Sequence, residues 1–115
     1  MNYKQTFGKS IRQAFVEFHR ENPRIYAAFE RMALQAIAKG KTKLSAKMIV
    51  NVIRWNEYIE TNGEPYRIND AFHAYYARLF MLLHPEHMGI FELRRLRNED
   101  TDSLLMEVDG QLRMF

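Results

Sequence analysis

The residues able to do chemistry in this chain fall into three sets: a group of lysines around one turn, a pair of histidines, and scattered carboxylates. Lys39, Lys41, Lys43 and Lys47 lie within nine positions, and Ser45 among them is a good opening residue for a helix. Ammonium groups beside the free backbone N–H groups of a helix start suit phosphate, and Arg54, two helical turns further along, extends the same charge. His84 and His87 have the i, i+3 spacing of two metal ligands on one turn, with His73 or Glu86 available as a third, but no fixed zinc pattern is matched. Histidines at a helix end also complement the C-terminal dipole, and that reading is preferred here. Glu64, Asp70 and Glu92 are the carboxylates a magnesium-dependent nuclease would draw on, yet their spacing fits no motif. There is no cysteine, no glycine-rich phosphate loop and no nucleophile elbow. The sequence therefore predicts a protein that is not an enzyme, with no catalytic residue, metal or cofactor.

The elements that must position these residues are mostly helical. Ile11, Ala14, Phe15 and Phe18 recur at helical spacing and predict a first helix over about Thr6 to Arg20. Asn22-Pro23 ends it and starts a second, with Asn22 as N-cap, running to about Lys39 and stopped by Gly40. Ser45 caps a third, Ala46 to Glu60, with Ile49, Val52, Ile53, Trp55 and Ile59 expected on or near the core side. Breakers at Thr61–Pro65 and a short Tyr66–Ile68 strand lead to a fourth, Ala71 to His84, capped by Asn69 or Asp70. There Phe72, Tyr75, Tyr76, Leu79, Leu82 and Leu83 make the expected core stripe, with Asp70, His73, Ala74, Ala77, Arg78 and Met81 opposite. Pro85 ends that helix or opens one extra turn through His87. Beyond Gly89, Ile90–Arg97 and Leu104–Val108 read as two strands of a hairpin around a polar turn.

This pattern predicts a single domain over 1–115, its core within about 6–97 and a hairpin or tail over 98–115. The fold class is α+β and mainly helical: four helices followed by a C-terminal β-hairpin. The hydrophobic fraction of 47% is too high for a disordered chain, and no apolar run approaches the ~20 residues of a membrane span. The first five residues lack the apolar stretch of a signal peptide, so a cytoplasmic location is expected. A net charge of +3 conceals an asymmetry: residues 1–58 hold eleven basic and four acidic side chains, residues 59–115 six and ten. Such a split suits a polyanion on one side of the molecule.

Three blocks carry a resemblance. Phe15–Tyr26 (FVEFHRENPRIY), Ser45–Trp55 (SAKMIVNVIRW) and Tyr75–Met81 (YYARLFM) with His84-Pro85-Glu86-His87 resemble a family of small phage and prophage proteins, over about residues 15–97. The resemblance implies a phage origin and a bacterial host cell more than an activity. The element order is also similar to a winged helix-turn-helix, in which a supporting helix precedes a recognition helix and a two-stranded wing follows. That likeness implies a DNA-binding regulator or accessory factor. Asn69, His73 and Arg78 on the fourth helix would lie at the groove of duplex DNA. Lys39, Lys41, Lys43, Lys47 and Arg54 would hold its backbone, with Arg95 and Arg97 on the first wing strand assisting. The segment Glu99–Asp109 has no basic residue and would repel phosphate. It favours an alternative, a protein–protein interaction module that inhibits a host defence or replication protein. A homodimer fits either reading; a membrane partner fits neither.

Overall fold

The computed structural model describes residues 10–60 and 68–92. These form four helices, α1 (Ile11–Glu21), α2 (Pro23–Ala38), α3 (Ala46–Glu60) and α4 (Phe72–Leu83), followed by a 3-10 turn over Pro85–His87. The start of α1 is set by a capping box. Ser10 Oγ accepts from the Gln13 backbone N–H at 3.1 Å, and Gln13 Oε1 accepts from the Ser10 N–H at 3.1 Å. Two of the orphan donors of the helix end are satisfied this way, so α1 opens at Ile11, not at Thr6. Asn22 closes α1: its backbone N–H and its side-chain Nδ2 both donate to the Phe18 carbonyl, at 2.9 and 3.0 Å. The expected side-chain cap on α2 is therefore not made, and Pro23, which has no N–H to satisfy, opens that helix.

Helix α2 ends in a Schellman motif. Gly40 has φ +93° and its N–H donates to the Ile37 carbonyl at 2.9 Å, while the Lys41 N–H reaches the Ala36 carbonyl at 3.1 Å. Ser45 then starts α3, its Oγ accepting from the Met48 N–H at 3.2 Å.

The core is aromatic and centred on α4, which packs against all three other helices. Phe72, Tyr76, Ala77, Leu79, Phe80 and Met81 of α4 are buried, and Phe15 from α1 and Phe29 from α2 close on Tyr76 with ring centroids 4.8 and 5.6 Å away. The first contact is edge-on and the second stacked, both favoured aromatic geometries. A helix buried on nearly every side cannot enter a DNA groove. The expected division of α4 into a core stripe and an outward groove face is thus corrected: Ala77, Arg78 and Met81, assigned to the groove, are inside.

The α+β fold with a C-terminal wing is corrected too. Among the described residues there are four α-helices and no strand. Ile90 and Phe91, expected to begin the first wing strand, fold back onto the helices. The Leu44 N–H donates to the Ile90 carbonyl at 2.9 Å, and Phe91 forms an isolated parallel bridge with Leu44. A hairpin needs an antiparallel partner; this contact is parallel and reaches the segment before α3. The driving force is burial, since Phe91 is inserted between Phe29 and Phe80, 5.4 and 5.8 Å away. Ile68, the end of the other expected strand, is buried without being a strand. Tyr66, Arg67 and the rest of the expected hairpin, 93–108, lie outside the described residues. The winged helix-turn-helix reading is abandoned with the recognition helix that carried it.

Candidate functional site

The lysine group is the part of the expected site that the fold assembles. Lys39, Lys41, Lys43 and Lys47 are all exposed at the α2–α3 connection. The Schellman turn fixes Lys39 and Lys41 by backbone hydrogen bonds, the bridge to Phe91 holds the chain at Leu44, and Lys47 stands on the first turn of α3. None of the four makes an ion pair among the described residues. From Arg31 to Asn56 the chain has no acidic residue at all. The two carboxylates bounding that interval are engaged elsewhere: Glu30 Oε2 lies 2.7 Å from His84 Nε2, and Glu57 Oε1 2.7 Å from Arg24. Glu92, one residue beyond the bridge, is exposed and makes no ion pair with the lysines. What results, among the described residues, is a corner of positive charge without an ion-pair partner, on a backbone held by hydrogen bonds.

The other expected nucleic-acid residues go to structural work. Arg54 ties α3 to the segment before α4. Its Nη2 donates to the Ile68 carbonyl and to Asp70 Oδ1, each at 2.6 Å, and its Nη1 to Asn51 Oδ1 at 2.7 Å. Asn69 holds the entry to α4, its Oδ1 accepting from the Ala71 N–H at 2.9 Å. His73 is partly buried and its Nδ1 donates to the Asp70 carbonyl at 2.5 Å. Arg78 is only 9% exposed, with its guanidinium carbon 5.9 Å from the Tyr75 ring centroid. Burial lowers its pKa from the ordinary arginine value and Tyr75 raises it back in part, and the guanidinium stays charged. Arg95 and Arg97 lie outside the described residues.

The histidines form an acid-linked cluster. Glu86 sits 3.7 Å from His84 Nδ1 and 3.9 Å from His87 Nε2, and His84 stacks on Phe80 with ring centroids 4.5 Å apart. The Glu86 carboxyl is held below its usual range, chiefly by a backbone hydrogen bond at its own position and then by the two histidines. Among the described residues no group of three or more histidines, cysteines and carboxylates could hold a metal ion. Tyr26 donates to Glu30 at 3.4 Å, and its pKa is pushed up by burial first and by Glu30 second.

One feature escaped the sequence reading. Val52, Trp55 and Ile59, expected toward the core, point outward with Met48. Trp55 is 61% and Met48 66% exposed. These four recur at helical spacing on the side of α3 opposite Ala46, Ile49, Val50 and Ile53, so α3 carries two apolar stripes. Ser45, Lys47, Met48, Asn51, Val52 and Trp55 line an open groove along it, and Trp55 and Tyr58 have ring centroids 5.9 Å apart. The signal was present in the sequence: five apolar residues called for one face of α3 span more arc than a single core stripe.

Among the described residues no helix is long and apolar enough to cross a membrane. Comparison with protein-family models, with curated proteins and with solved structures gives no match.

Proposed function

We propose that this protein is a small nucleic-acid-binding accessory factor that holds a phosphate backbone with the lysine corner Lys39, Lys41, Lys43 and Lys47. The observation that carries the reading is the placement, in an acid-free stretch of chain, of four exposed lysines that make no ion pair among the described residues. Lysines are phosphate binders that act as point charges, so this surface contacts the backbone and does not read base edges. The reading drops the groove contacts assigned to Asn69, His73 and Arg78, because their side chains cap, tether or fill the helical core.

The test is duplex DNA binding across a salt series. Affinity falls as salt rises, with log K losing about 0.9 per phosphate contact for each decade of salt. The double variant Lys41→Ala/Lys43→Ala flattens that slope by roughly 1.8 while its thermal melt stays that of the parent. Absence of DNA binding at low salt, or an unchanged slope in the double variant, overturns the proposal.

A second reading, a protein–protein interaction module, is favoured by a different observation: the apolar outward face of α3. Monomeric surfaces scatter their exposed apolar residues singly, whereas these are aligned.

A further inference from the structure

We infer that the outward face of α3 is a self-association surface, on which two copies of this chain pack α3 against α3, antiparallel, about a two-fold axis centred between Ile53 and Arg54. The inference concerns a different face from the phosphate reading, the two sharing only Lys47 at the edge of the lysine corner.

Three observations carry it. First, of the exposed apolar residues of α3, Met48, Val52, Trp55 and Ile59 form a stripe with sequence intervals of four, three and four, and Tyr58 flanks it beside Trp55. That spacing reads the same in either direction. A two-fold partner running the opposite way then presents Ile59 to Met48 and Trp55 to Val52 at both ends of the contact, which is the self-complementarity an isologous interface requires. The 3–4 alternation is also that of a seam between two helices packed side by side.

Second, the charge along α3 is polar from end to end. Lys47 stands exposed on its first turn and Glu60 is its exposed last residue, whereas Glu57 is already engaged by Arg24. The antiparallel arrangement sets each basic end against the partner's acidic end and opposes the helix dipoles favourably, whereas a parallel one stacks like charges. This decides the orientation, which apolar spacing alone would leave open.

Third, among the described residues no element covers this face. The core stripe of α3 is complete in Ala46, Ile49, Val50 and Ile53, all buried against the other helices, while Trp55 keeps 61% of its surface in solvent. A tryptophan at the centre of an aligned apolar stripe has the character of an interface anchor.

The contact is short. Met48 to Ile59 covers about 16 Å of helix at 1.5 Å per residue, so the dimer belongs to the small-interface class with a dissociation constant on the order of micromolar. Sedimentation equilibrium of the full chain, from about 5 to about 500 µM, reads it directly. The expected result is a concentration-dependent rise from the 13.8 kDa chain mass toward twice that value. Trp55→Lys raises the dissociation constant at least about tenfold. Trp55 is exposed, so its circular dichroism and melt match the parent; if they do not, Val52→Glu probes the same face.

Register and orientation have their own readout, made clean by the absence of native cysteine. An equimolar mixture of Met48→Cys and Ile59→Cys chains oxidises to a cross-linked pair, because those positions face each other. Met48→Cys alone does not, because its two copies stand about 16 Å apart, beyond the roughly 7 Å a disulfide spans. A chain that keeps the monomer mass at every concentration overturns the inference and leaves the face to a different protein or to the chain's own remaining residues. Self-cross-linking of Met48→Cys overturns the antiparallel arrangement.

Discussion

Arg54 separates a structural from a phosphate-binding role most sharply, because the two make opposite predictions for one substitution. Its guanidinium makes three charge-assisted hydrogen bonds, to Asn51, Ile68 and Asp70, and its side chain is 23% exposed. The Asp70 side chain is 81% exposed, so that ion pair is screened and contributes little. The bond to Asn51 lies within α3 on the surface and is similarly weak. The bond that matters is to the Ile68 carbonyl, since Ile68 is buried and α4 begins four residues later. Arg54→Ala leaves that carbonyl without this partner, at a cost of about 1–3 kcal/mol, and loses some packing of the arginine stem. We expect a net destabilisation of about 2 kcal/mol, which is roughly 10 °C in melting temperature for a chain of this size. Arg54→Lys keeps the charge but cannot reproduce the fork, and loses about half as much. The assay is urea denaturation followed by circular dichroism, run beside the DNA salt series. The reasoning predicts a shifted midpoint and an unchanged salt slope. An unchanged midpoint with a flatter slope would refute it and return Arg54 to the phosphate-binding set.

His19 is fully buried between Phe15 and Tyr26, its ring nitrogens have no hydrogen-bond partner among the described residues, and burial lowers its pKa from the ordinary 6.5. The unfolded chain then takes up a proton that the folded one refuses. The His19 contribution to stability is present above pH 6.5 and lost as pH falls below it, by at most about 1.4 kcal/mol per pH unit. His19→Phe keeps the stack on Phe15, removes the unsatisfied N–H and flattens that limb; equal pH slopes for parent and variant would show that other groups cause it. Gly40→Ala costs about 1–2 kcal/mol by chemical denaturation, through backbone strain alone, because φ is +93° and a Cβ there meets nothing within 4 Å. A neutral Gly40→Ala would mean that the turn relaxes out of the left-handed region.

Much of the secondary structure was legible in the residues, and for local reasons. Apolar periodicity, Asn22-Pro23, Gly40 and Ser45 placed α1 to α3, since caps and breakers act on neighbours in the chain, while the Ser10 capping box that opens α1 at Ile11 was missed. The lysine corner was legible for the same reason: Lys39 to Lys47 are close in sequence, and a turn keeps them close in space.

Tertiary packing decided the rest. Periodicity names the apolar arc of a helix but not how many neighbours press on it. Helix α4 lies among three others, so Ala77, Arg78 and Met81 are inside, although its pattern allowed a solvent face there. Among the described residues helix α3 is covered on one side, so its second apolar stripe, with Trp55, is left outside. Ile90 and Phe91 read as strand residues by type, but a buried place between Phe29 and Phe80 outweighed their β propensity. Arg54 and Asn69 looked like free polar groups until the junction of α3 and α4 supplied their partners. The composition and spacing of this chain determine four helices and a basic corner. Which faces are buried, and therefore which residues are free to bind, is settled only when the helices meet, because burial and hydrogen bonding across elements are long-range in sequence.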